Sequence, residues 1–191
     1  MKNLAQIIKE EYQKILQEQN QSGIIKTFRI RKVHGNFDCY NNKLTSLEGA
    51  PSSVGGNFDC FSNNLTSLVG APSSVGGDFS CSDNNLTSLK GAPSSVGGGF
   101  YCIYNNLTSL EGAPSLVGGD FNCFSNNLAS LKGAPSSVGG DFVCGANNLT
   151  SLKDAPSSVG GRFNCKSQKS GVKFTEKDVK KVSNVEGQIL T

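Results

Sequence analysis

The chain has 191 residues, 17% of them charged, and a formal net charge of +3. Residues 33–165 hold five basic against nine acidic side chains, residues 1–32 seven against three, and residues 166–191 six against three. An acidic middle between two basic ends removes the case for nucleic acid that overall pI alone would make. No stretch approaches the ~18 apolar residues of a membrane span.

Residues 1–32 predict an N-terminal cap. Leu4, Ile7, Ile8, Tyr12, Ile15 and Leu16 recur at helical spacing, with Lys9, Glu10, Lys14 and Glu18 opposite, so a helix is expected over 3–22. Asn3 suits its start and Gly23 its stop. Ile24 to Val33 then alternates, which predicts a strand at the end of the cap. Acidic residues interrupt the apolar ones in this segment, so it does not read as a signal peptide.

From residue 33 to 168 the chain repeats. Cys39, Cys60, Cys81, Cys102, Cys123, Cys144 and Cys165 stand 21 residues apart, each in the same phrase. A fixed period of this length means stacked coils, seven here. Phe-x-Cys, as in Phe58-Asp59-Cys60, is a period-2 element that turns Phe and Cys inward. Asn63 and its copies follow three residues later, with an amide able to satisfy backbone groups left by a turn. Leu65 and Leu68 close the core. Gly-Ala-Pro then biases the return segment away from helix, and all six prolines occupy this slot. Val75 and its equivalents add one more anchor before Gly-Gly turns the chain back.

Seven cysteines cannot all pair within one chain, and one thiol per coil with a single histidine, His34, lacks the paired spacing of a zinc site. Buried, reduced thiols in a cytoplasmic compartment are therefore expected. No metal, cofactor or catalytic constellation is expected either: paired carboxylates, a nucleophile elbow and a P-loop are all missing from the pattern.

Residues 169–191 read as a small C-terminal α/β cap. Gln168 replaces the asparagine and Ser170 stands where a leucine is due. Thr175-Glu176-Lys177-Asp178 is close to a capping box ahead of Val179 and Val182, and Gln188-Ile189-Leu190 predicts a last strand.

The anchor order Phe-x-Cys-x-x-Asn-x-Leu-x-x-Leu resembles the core of leucine-rich repeats, with Phe58, Cys60, Asn63 and Leu65 on its leucine and asparagine positions. Asn-Asn-Leu-Thr-Ser-Leu is similar to the short repeats of bacterial effector proteins, and the phrase with Gly-Ala-Pro-Ser-Ser-Val-Gly-Gly to repeats of bacteriophage and giant-virus proteins. The resemblance implies a leucine-rich-repeat-like solenoid with one parallel β-sheet, a non-helical return side and an asparagine ladder. A parallel β-helix is the structural alternative.

Function is sought where the coils differ. One before Cys the column reads Asp38, Asp59, Ser80, Tyr101, Asn122, Val143, Asn164; one after, Tyr40, Phe61, Ser82, Ile103, Phe124, Gly145, Lys166. Tyr101, Ile103, Tyr104, Phe124 and Val143 thus gather outward, with Tyr40 and Phe61 in the first coils and Asp78, Asp120 and Asp141 as a rim. An apolar, aromatic patch with a polar rim is the composition of a protein-binding surface. Aspartates stacked at strand spacing repel, which suggests a basic partner or plain solubility. Protein binding is the expectation, with a phage protein acting on a host bacterial protein as the setting the resemblance implies. The alternatives are nucleic-acid binding through Lys26, Arg29, Arg31 and Lys32 or Lys173, Lys177, Lys180 and Lys181, and ice or surface binding by Thr45, Thr66, Thr87, Thr108 and Thr150.

Overall fold

The computed structural model describes residues 32–191. The helix expected over 3–22 and most of the strand after it lie outside the described residues.

The coils stack as a β-solenoid with two strands per turn. One sheet is built from Ser-Val pairs: Lys32–Val33, Ser53–Val54, Ser74–Val75, Ser95–Val96, Leu116–Val117, Ser137–Val138, Ser158–Val159 and Asn184–Val185. The other is built from the Phe-x pairs, from Phe37–Asp38 to Phe163–Asn164, and ends on Ile189–Leu190. All pairings are parallel and shift by one coil, as in Phe58↔Phe79 and Val54↔Val75. The single sheet implied by the leucine-rich-repeat resemblance is thus corrected to two, nearer to the parallel β-helix alternative.

The second sheet forms because of Gly-Gly. A Cβ on Gly76 would collide with the carbonyl oxygen of Gly55, and one on Gly77 with Oδ1 of Asn57. Neither glycine takes a left-handed φ, so the pair serves close approach between coils, which lets both flanking segments hydrogen-bond to the next coil. The glycine that does need positive φ is the one before Ala-Pro. Gly70 has φ +94° at the third place of the turn closed by Ala71 N–H donating to the Leu68 carbonyl at 2.9 Å.

Core slots repeat coil by coil. Phe37, Phe58, Phe79, Phe100, Phe121, Phe142 and Phe163 form one column with successive centroids 5.1 to 5.8 Å apart. Beside it run the cysteines, all free and all buried. Several thiols donate to the next coil, Cys60 Sγ to the Ser80 carbonyl at 3.2 Å and Cys123 Sγ to that of Val143 at 3.3 Å.

The asparagine ladder is present. Asn84 Nδ2 donates to the carbonyls of Cys60 and Cys81 at 3.1 Å each, while its Oδ1 accepts from Leu65 N–H at 2.9 Å. One amide therefore ties two coils together and leaves none of these buried groups unpaired. Gln168 closes the series: its Nε2 reaches the Cys144 and Cys165 carbonyls, and its Oε1 takes Leu149 N–H at 3.2 Å.

The tail is a continuation of the solenoid. The short helix Glu176–Lys180 starts on the Thr175 capping box and buries Val179. The chain then supplies half of an eighth coil, with Asn184 and Val185 pairing Ser158 and Val159, and Ile189 and Leu190 pairing Phe163 and Asn164. Ser183-Asn184-Val185-Glu186-Gly187-Gln188-Ile189-Leu190 follows Ser157-Ser158-Val159-Gly160-Gly161-Arg162-Phe163-Asn164 position for position. No helix among the described residues is long and apolar enough to cross a membrane.

Candidate functional site: the outward face of the Phe sheet

Because Phe and Cys point inward, the residues on either side of Cys point out, and strand register sets their neighbours. Ser80, Tyr101, Asn122 and Val143 lie side by side across successive strands. Tyr101, Ile103, Phe124 and Val143 are half-buried, while Tyr104 is 59% exposed. Tyr104 meets Phe124 edge-on with centroids 6.2 Å apart. Tyr40 and Phe61 form a separate stacked pair at 4.8 Å. Ser80 and Ser82 divide the two groups, so the structure brings the expected residues together as a patch on coils 4 to 6 and a pair on coils 1 and 2.

One glycine makes room for an aromatic. A Cβ on Gly99 would lie 2.5 Å from the Tyr101 hydroxyl and 2.6 Å from its ring, so Tyr101 folds back over its own coil. Phe124 leans instead over Gly145 of the next coil, with ring atoms at ordinary contact distance, 3.4 and 3.5 Å, from a Cβ there.

Asp78, Asp120 and Asp141 have a structural task that sequence reasoning missed. Each uses Oδ1 to accept the backbone N–H of the equivalent residue one coil on: Asp78 from Gly99 at 2.7 Å, Asp120 from Asp141 at 2.8 Å, Asp141 from Arg162 at 2.6 Å. Asn36 and Asn57 do the same for Asn57 and Asp78, both at 2.9 Å. The Asp and Asn oxygens of this column tie successive coils together wherever they occur, and a basic partner is not required to explain them. The visible signal was the mixture itself, since Asn and Asp share that oxygen and little else.

Arg162 ends this column on a carboxylate. Its Nε and Nη2 lie 2.8 and 2.6 Å from Asp141 Oδ2, and the guanidinium holds the Asp141 carboxyl below the usual range. Tyr101 is raised by burial, then by the charges of Asp120 and Asp78 and a hydrogen bond to Asp120. Asp59 is raised by partial burial, against the opposing Phe61 N–H, and by Asp38 directly across the strand pair.

Comparison with family models, curated proteins and solved structures finds no match. The reading of this face therefore rests on the chain's own geometry.

Two columns after Cys and beyond were only partly foreseen. The residue two after each Cys is left-handed in every coil: Asn41, Ser62, Asp83, Tyr104, Ser125, Ala146 and Ser167, with φ from 52° to 59°. All but one are small or polar. On the opposite face, the Val sheet presents a row of serines interrupted by Leu116, 62% exposed. Thr45, Thr66, Thr87, Thr108 and Thr150 are exposed on a third side, with Ala129 breaking the series. Among the described residues no group of three or more His, Cys, Asp or Glu is placed to hold a metal.

Proposed function

We propose that the chain is a non-catalytic scaffold that docks another protein on the outward face of its Phe sheet, at coils 4 to 6. The observation that carries this is Tyr104. Its backbone has φ 52°, a conformation that costs a bulky L-residue about 1 kcal/mol, and six other coils fill the same position with small or polar residues. An exposed aromatic ring held at a strained position beside Phe124 and Ile103 is not demanded by the solenoid, and strain of this kind concentrates at functional sites. Tyr and Phe are also typical anchors of protein interfaces.

The finer setting comes from the resemblance to leucine-rich-repeat-like proteins of phages and bacterial effectors: a phage protein that acts on a host protein in the bacterial cytoplasm. Free, buried thiols accord with a reducing compartment.

The chain supplies its own controls for the test. Tyr101→Ser, Tyr104→Ser and Phe124→Ser each install the residue that Ser80, Ser62 and Ser82 already place in the same columns. The triple variant is expected to keep the wild-type melting transition and to lose proteins that the wild type captures from host extract. Retention of the same proteins by the folded variant would refute the reading.

A further inference from the structure

We propose that the partner docking on this face is a basic segment of another protein, and that one of its arginines lies on the Tyr101 ring between Asp78 and Asp120. The inference rests on the docking role proposed above and names the chemistry of what docks.

Charge complementarity supports this. In the three outward columns of the Phe sheet, Asp38, Asp59, Asp78, Asp120 and Asp141 face only Arg162 and Lys166, both in coil 7. Over coils 1 to 5 this face is acidic with no cation of its own in those columns. The chain itself displays a binding mode for such a cation. At Asp141 the inner oxygen holds the backbone of the next coil while Oδ2 takes two nitrogens of Arg162. At Asp78 the inner oxygen is engaged in the same way by Gly99 N–H, but Gly99 has no side chain to pair with the carboxylate as Arg162 does, and the Tyr101 ring lies in that space instead.

An aromatic wall stands beside Asp78. The Tyr101 ring occupies the space over Gly99, which stands between Asp78 and Asp120 in the same column of successive coils. A guanidinium there would meet one aromatic face and two carboxylates. Arginine suits this better than lysine, because a planar, weakly hydrated fork can stack and pair at once, whereas an ammonium acts as a compact point charge.

The test uses the full chain, labelled with ¹⁵N and titrated with acetyl-arginine-amide and, separately, acetyl-lysine-amide. Arginine is expected to shift the Gly99, Tyr101 and Asp120 amides saturably, at least threefold more tightly than lysine. In an Asp78→Asn/Asp120→Asn variant the shifts should vanish while the ladder survives, since Asn36 and Asn57 fill the same slot. Equal response to both probes, response centred elsewhere, or response that persists in the variant would overturn the proposal. Concentration-dependent shifts of these amides without any probe would assign the arginine to a second copy and overturn it equally. The titration needs no partner, so failure of the arginine site and failure of docking through Tyr104 and Phe124 are read separately.

Discussion

The side-chain amide of Asn105 donates to the carbonyl of Cys81, 24 residues earlier, at 3.1 Å and to its own coil's Cys102 at 3.3 Å. Its oxygen takes Leu86 N–H at 3.0 Å. Asn105→Ala would therefore strand the buried Leu86 N–H and take one of two amide donors from each of the Cys81 and Cys102 carbonyls, which keep Asn84 and Asn126. A loss of about 1–3 kcal/mol is expected, read as a shift in the urea midpoint. Asn105→Asp should cost at least as much at pH 7, because a carboxylate cannot donate to two carbonyls. A loss within error for either variant would show that the ladder is decorative.

The thiols impose an alkaline limit. Burial pushes Cys39 and Cys123 from 9.0 up to about 12 and the less buried Cys165 to about 11. A thiol that stays protonated when folded but ionises when unfolded lowers stability as pH rises from its ordinary value toward the raised one. Below pH 8 both states are protonated and stability should be flat in this respect. Above about pH 9, each buried thiol removes about 1.4 kcal/mol per pH unit. The chain should unfold steeply in this alkaline range, and Cys81→Ala should reduce the slope by about 1.4 kcal/mol per pH unit. Equilibrium unfolding at stepped pH measures this directly; a flat profile to pH 11 would contradict it.

The same burial predicts reactivity. At pH 7.5 native protein should hide its thiols from iodoacetamide and release all seven on denaturation without reductant. Mass spectrometry counts the alkylated residues, and any disulfide among the seven would contradict the packing of the core.

Asp38 and Asp59 stand opposite each other in register; partial burial raises the Asp59 carboxyl, and the charge of Asp38 adds to it. Asp59→Asn removes a charge and keeps the acceptor for Phe61 N–H, as Asn122 and Asn164 do for Phe124 and Lys166. The variant should be more stable at pH 7 by about 0.5 kcal/mol, after allowance for solvent screening. A carboxyl with a raised folded pKa destabilises only once it is ionised. The advantage should therefore appear as pH rises through its ordinary 3.8 toward the raised value, and vanish below it. Melting curves at pH 3 and pH 7 distinguish this from a pH-independent effect.

Much of the architecture was legible because each inward slot is written several times over. Seven copies of Phe-x-Cys and six of the ladder Asn leave little freedom about which way the chain faces. The Val sheet was hidden because a two-residue strand such as Ser74–Val75 is too short to carry any periodicity. Its cause, the close approach at Gly76 and Gly77, looks in sequence like an ordinary turn. The aspartates misled for a related reason: Asp78 and Asp120 read as surface charge, although their oxygens serve the backbone. The break at Gly99 makes sense only once Tyr101 is seen lying over it. The 21-residue period alone sorts the outward aromatics into columns, but that Tyr104 is strained required the backbone angle.

The proposed docking surface is coils 4 to 6 of the Phe sheet. Photo-crosslinking tests this assignment most directly, with p-benzoylphenylalanine in place of Tyr104 on one face and in place of Leu116 on the other. Both side chains are more than half exposed, so both probes are free to react. In host extract the probe at position 104 should give a discrete protein adduct that the probe at position 116 does not. No adduct at position 104, or the same adducts from both faces, would contradict docking on the Phe sheet.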